Sequence, residues 1–198
     1  MTNIVIHFSL KGVLGMFEKY LITYCSPTLA SLKSANLFTV KYVSESELCQ
    51  QLDVWNAHFR SKGLCLMVLR RQEHTALIYI YRHSLLSKEL KKPGVAAFLA
   101  GYGYESTEFP YVLERLKARI EQSGSFPHEI GVFLGYPLAD VIGFIENAGQ
   151  NSKCSGCWKV YCNECEAIRT FARFKKCKEV YERLWRQGRS VMKLTVAA

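Results

Sequence analysis

The sequence predicts an α+β domain in which a small, mainly antiparallel sheet with a central hairpin is surrounded by six or more helices. Residues 64–71 and 75–82 are apolar runs rich in β-branched and aromatic side chains, joined by the polar Gln72-Glu73-His74, which is the pattern of a β-hairpin. Residues 109–122 and the segment after Asn163 repeat apolar positions with helical period. The 198 residues, 49% hydrophobic and 13% aromatic, suit one domain spanning 1–198, with the basic segment 151–198 packed on it.

The elements follow in chain order. The first residues, through Phe17, are apolar but carry His7 and Lys11, and they lack a basic leader region and a small-residue cleavage site, so they read as folded structure. Residues 16–24 are helical. Ser26 and Pro27 then suit the N-cap and first turn of a new short helix. Residues 36–42 alternate as a strand, and Ser44 with Glu47 three positions on starts a helix running to Gly63. After the hairpin, residues 84–90 and 95–99 form short helices punctuated by Lys92-Pro93-Gly94 and Gly101-Tyr102-Gly103. Residues 123–127 are a linker. Two compact helices over 128–134 and 137–147, with Gly135 between them, read as a helical hairpin. Residues 158–161 read as a short strand joining the same sheet. Asn163 caps a long helix with Glu164 and Glu166 in its first turn, Gly188 ends it, and residues 190–196 form a last helical turn or a strand.

Charge is unevenly placed. The net charge is +9, and residues 151–198 hold eleven Lys or Arg against four Asp or Glu. Such a segment can dock phosphates, but the solvated face of an amphipathic helix explains it as well, so nucleic acid is an unlikely partner and weak non-specific binding by the terminal helix is the most it suggests. No run approaches the length of apolar residues a membrane span requires, and a cytosolic location is the default expectation. There the eight cysteines are expected as thiols, metal ligands or redox groups rather than structural disulfides.

Cys154, Cys157, Cys162 and Cys165, spaced C-x2-C-x4-C-x2-C, are the densest chemistry in the chain. Paired C-x-x-C knuckles suit a tetrahedral zinc site, yet the four residues between the pairs read as strand. Five extended steps from Cys157 to Cys162 would span roughly 16 Å, too far for one ion. We therefore expect no metal held by all four, with a metal or thiol-redox role as the alternative. A dithiol oxidoreductase would place its first cysteine at a helix N-terminus, whereas the residues after Cys157 read as strand.

Other motifs are missing. His128-Glu129 is followed by Val132 where H-E-x-x-H needs its second histidine. There is no phosphate-binding G-x4-G-K-[ST], no complete dinucleotide fingerprint at Gly101, and no G-x-S-x-G elbow. His128 reads as a capping or core histidine. A stretch that does suggest binding is CSPTLASLKSANLF from Cys25, where Cys25, Ser26, Thr28, Lys33 and Asn36 crowd one turn-rich segment. Exposed helix N-terminal amides there could hold an anion.

Three segments together, CSPTLASLKSANLF from Cys25, FPHEIGVFLGYPLADVIGFI from Phe126 and CSGCWKVY from Cys154, resemble an uncharacterised domain-of-unknown-function family of roughly 200-residue proteins, found chiefly in anaerobic Gram-positive bacteria. The resemblance covers nearly the whole chain, including GRSVMKLTVA at its end. It implies that Cys25, Pro27, Thr28, Lys33 and Asn36, together with His128, Glu129, Gly135, Tyr136, Pro137, Asp140 and Trp158, lie in the family's signature stretches. The chain departs from the family pattern at Cys162 and Cys165, which counts against a family-wide metal site.

The function expected from these readings is a small-ligand-binding or accessory protein for an anionic ligand or a protein partner. Its candidate pocket is formed by Cys25, Ser26, Thr28, Lys33 and Asn36 with His128, Glu129, Tyr136 and Asp140. Lys33 in particular is expected in a concavity, where a desolvated ammonium calls for an anion. No cofactor, reaction or oligomeric state is implied.

Overall fold

The structure, a computed structural model, describes residues 10–122 and 126–197. The readings made for residues 1–9 and for most of the 123–127 linker lie outside those residues.

The sheet forms where alternation is strongest. β1 (Ala35–Lys41), β2 (Leu64–Gln72) and β3 (Thr75–Arg82) pair antiparallel in the order β1-β3-β2, so the third strand in sequence is central. Leu66 opposes Ile80 and Phe38 opposes Ile78, and a bulge between Val68 and Arg70 shifts the register. Alternation sends Phe38, Val40, Leu66, Val68, Ile78 and Ile80 to one face and Leu69 and Tyr79 to the other, and each face meets a different core. The outer edge of β2 is closed by one side chain. Asn56, on α2 (Glu45–Phe59), donates through Nδ2 to the Leu66 carbonyl at 3.0 Å and accepts the Leu66 amide at Oδ1 at 2.7 Å.

The first core lies between the sheet, α1 (Leu10–Leu29), α2, the long α8 (Glu164–Arg186) and the short α9 (Val191–Leu194). Ser44 caps α2 by accepting the Glu47 amide, as the sequence suggests. On α8, Phe174, Cys177 and Tyr181 are buried while Lys175, Lys176, Lys178, Arg183 and Arg186 are exposed, so the basic charge forms the outer face of an amphipathic helix. The second core packs α3 (His83–Leu90), α4 (Val95–Ala100), α5 (Tyr111–Gln122), α6 (Ile130–Phe133) and α7 (Leu138–Glu146) against the opposite face. The buried Tyr79 ties the two layers by donating to the Phe133 carbonyl at 2.6 Å.

Three sequence readings are corrected. Ser26 and Pro27 do not start a new helix, because α1 runs through them to Leu29. The Ser26 hydroxyl donates to the Ile22 carbonyl within the same helix, and Pro27 stands in the last turn, where it has no amide to offer the Thr23 carbonyl. Residues 158–161 do not join the main sheet. Only Lys159–Val160 (β5) is extended, and it pairs with Cys154–Ser155 (β4) in a separate two-stranded ribbon. A ladder this short cannot hold itself, and side-chain contacts anchor it instead. The first helix of the 128–147 pair is also shorter than its sequence suggests, a single turn over Ile130–Phe133.

Where α1 ends, Arg82 adds its donors to carbonyls that the Ser31 and Val196 amides also reach. This side chain is 1% exposed. Nε donates to the Thr28 carbonyl at 2.6 Å, Nη1 to Lys62 at 3.1 Å, and Nη2 to both Leu29 at 2.8 Å and Val196 at 2.7 Å. One guanidinium thus joins the C-terminus of α1, the turn before β2 and the end of the chain.

Candidate functional site

The β4–β5 ribbon is held against α7 by one carboxylate. Asp140, in the first turn of α7, accepts the Trp158 indole N–H at Oδ2 at 2.8 Å, and at Oδ1 the amides of Tyr161 at 2.7 Å and Cys162 at 2.9 Å. Burial alone would raise the Asp140 carboxyl. The hydrogen bonds from Cys162, Tyr161 and Trp158 outweigh it and hold the group below the ordinary aspartate range. Asp140 was expected among the ligand-binding residues, and here both of its oxygens are occupied by the ribbon. We expect Asp140→Ala to cost about 3 kcal/mol, since it strands an indole N–H and two amides. In wild type, this contribution is fully present above the unfolded aspartate value near pH ~4 and is lost as pH falls through the lower folded value. Urea titrations at pH 7 and pH 3 check both: the difference between wild type and Asp140→Ala should shrink at the lower pH.

Between the ribbon and α6–α7 lies a cavity of about 320 Å³. Its lining is mostly apolar and aromatic, with Ile130, Tyr136, Val141, Phe144 and Trp158; His128 and Lys159 supply its basic groups and Asp140 its acid. Tyr136 stacks on Trp158 with centroids 5.0 Å apart, and the Trp158 ring meets Phe171 of α8 edge-on at 4.6 Å. Gly156 permits that approach, because a Cβ on it would collide with the Phe171 ring. His128 is exposed and edge-on to Phe144 at 5.0 Å, so it is a wall residue of the cavity rather than a core histidine. Lys159 donates to the Gly149 carbonyl at 2.5 Å.

Lys33 stands beside this cavity without lining it. Its ammonium lies 5.1 Å from the centroid of the Tyr136 ring, and Tyr136 donates to the Cys157 carbonyl at 3.1 Å. Lys33 is 8% exposed, and among the described residues no carboxylate is within ion-pair distance of it. Burial pulls its pKa down to about 8, against the opposing pull of the Cys157 and Cys25 thiols. Next to it, Gly135 takes a left-handed conformation, and a Cβ there would collide with the buried Ser34 hydroxyl.

The other expected ligand residues are turned inward. Cys25, Ser26 and Thr28 are fully buried. Thr28 donates to Asn36 Oδ1 at 2.7 Å, and Ser26 is engaged with Ile22. Glu129 is buried and paired with Arg119 of α5, away from the cavity. The helix N-terminus expected to hold an anion at Ser26 does not exist, since these residues are the last turns of α1. All eight cysteines are free thiols, and among the described residues no group of three or more His, Cys, Asp or Glu side chains is placed to hold a metal. Also among the described residues, no helix is long and apolar enough to cross a membrane.

A family model described as a protein of unknown function, DUF3793, matches residues 21–195. The chain belongs to this family. No curated protein and no solved structure matches it. The matched span contains every residue of the cavity, the Asp140 clasp and Lys33.

The cavity residues that sequence reasoning missed are Ile130, Gly131, Val141, Phe144, Ser155, Gly156 and Lys159. They lie in three segments whose apolar members look like ordinary core. The one available signal was polar: Trp158 and Asp140 both carry groups that need partners when buried.

Proposed function

We propose that this protein binds a small, largely apolar molecule bearing an acidic group, in the cavity between α6–α7 and the β4–β5 ribbon. The observation that carries this reading is a surplus of uncompensated cations around an aromatic cavity. Lys33 meets the Tyr136 ring of the wall, Lys159 of the wall donates to the Gly149 carbonyl, and neither has a carboxylate partner among the described residues. The nearest acid, Asp140, is already enclosed by three N–H donors. A volume of about 320 Å³ holds a ligand at the small end of the range for such pockets. Its apolar lining supplies affinity by burial, and His128 and Lys159 supply the contact to the acid.

The test is a calorimetric titration with single-ring and fused-ring monocarboxylates, with the corresponding primary amides as neutral controls. We expect the acids to bind at least about tenfold more tightly than the amides, and Lys159→Gln with His128→Gln to remove that preference, a loss of about 1.4 kcal/mol. Trp158 fluorescence should change on binding. Equal affinity for acids and amides, or no binding across the series, overturns the reading.

A further inference from the structure

Lys33 presents an unmet electrostatic need at a defined place. Its ammonium is nine-tenths buried, has no carboxylate partner among the described residues, and lies against Tyr136, whose hydroxyl is bonded to the Cys157 backbone. Burial lowers the Lys33 pKa, and the groups that oppose this lowering are the thiols of Cys157 and Cys25. These two thiols differ in access. Cys25 is fully buried within α1, where burial holds it firmly protonated, whereas Cys157 is exposed at the turn between β4 and β5. Any reagent arriving from solvent therefore meets Cys157 first, and the Tyr136 ring that Lys33 faces is hydrogen-bonded to that same residue.

We propose that Cys157 is a modification site at which oxidation by hydrogen peroxide to the sulfinate gives Lys33 its missing counter-ion. In the first step the Cys157 thiolate attacks one peroxide oxygen. An S–O bond forms, the O–O bond breaks, and the departing hydroxide takes up a proton to leave as water. Sulfur is oxidised to the sulfenic acid and peroxide is reduced. A second peroxide repeats the exchange and gives the sulfinic acid, which releases its proton to become an anion at neutral pH. Burial raises the Cys157 thiol despite the opposing pull of Lys33, so the distinctive feature of the site is the pairing of its product and not fast attack. An ion pair formed at a buried ammonium stabilises the fold that contains it, because the unfolded chain solvates both charges separately.

The experiment uses the full chain with the exposed Cys49 and Cys165 replaced by serine, treated with hydrogen peroxide, and mapped by peptide mass for the gain of two oxygens at Cys157. We expect the oxidised protein to melt about 3 °C or more above the untreated one, corresponding to about 1 kcal/mol for a chain of this size. The rise should be absent when Lys33→Met or Cys157→Ser is introduced. A second measurement needs no oxidation. Cys157→Asp, which places a carboxylate at the same position, should raise the melting temperature in the Lys33 protein and lower it in the Lys33→Met protein. A sulfinate at Cys157 that leaves the melting temperature unchanged or lower, or a Cys157→Asp effect that is the same in both backgrounds, overturns the proposal.

Discussion

Replacing Arg82 with alanine should cost about 3 kcal/mol of stability, the upper end for losing buried hydrogen bonds from a charged donor. Four carbonyls accept from this side chain, those of Thr28, Leu29, Lys62 and Val196, and no carboxylate is among its partners. The substitution leaves the Lys62 and Val196 carbonyls without that donor and no lone charge behind. The two final carbonyls of α1 keep a second donor, Thr28 from the Ser31 amide at 3.2 Å and Leu29 from the Val196 amide at 3.0 Å. Arg82→Lys should recover only part of the loss, because an ammonium offers three donors from one point while the guanidinium reaches four carbonyls through three nitrogens. Urea unfolding midpoints for the two variants check this. A loss below about 1 kcal/mol for Arg82→Ala would mean that water replaces the guanidinium at these carbonyls.

Lys33→Met should act in the opposite direction and make the protein more stable at pH 7. The folded pKa of about 8 lies below the ordinary lysine value because burial disfavours the ammonium, so the folded state binds fewer protons than the unfolded chain between the two values. Stability of the wild type must then rise with pH from about 8 to ~10.4, and below that window the charged Lys33 burdens the fold by roughly 3 kcal/mol at most. The groups facing it are the Cys25 thiol from α1, the Cys157 thiol from the ribbon and the Tyr136 ring, and burial drives the tyrosine hydroxyl up to about 12. Methionine keeps the length and apolar body of the side chain and omits the charge. Its gain, reduced by the lost contact with the Tyr136 ring, should be about 1–3 kcal/mol at pH 7 and should vanish by about pH 10.5. Paired denaturation curves across that interval measure it. A gain that persists at high pH would place its origin in packing.

Much of the architecture was legible because it rests on local pattern. The β2–β3 hairpin follows from two alternating runs and a polar turn. Both α2 and α8 start where a side chain accepts the amide three residues on, Ser44 in one and Asn163 in the other. Errors arose where a local signal has two meanings. Ser26-Pro27 resembles a helix start, but a serine can equally donate to a carbonyl of the helix it sits in, and a proline in a last turn removes one amide from that helix without ending it there. Trp158 to Tyr161 have strand-like chemistry, yet the segment is anchored by Asp140, Phe171 and Tyr136 and pairs over only two residues.

The candidate site was legible in part for a different reason. Lys33 and Tyr136 were both expected in it and do meet, because each is conspicuous as a polar or amphipathic side chain beside apolar sequence. The cavity itself was hidden, since a concavity is a relation among segments that are each unremarkable alone. Asp140 was noticed for its charge, while its role depends on three donors located eighteen or more residues away.

Asn56 bears on how copies of the chain keep apart. A sheet ending in β2 would offer a neighbour's backbone a row of free amides and carbonyls, the surface on which strands of separate molecules stack. By supplying both a donor and an acceptor to Leu66, the Asn56 carboxamide occupies one position of that row as a peptide group would. Side-chain chemistry at one position thus withholds those two backbone groups from a neighbouring strand, and it does so without lengthening the sheet.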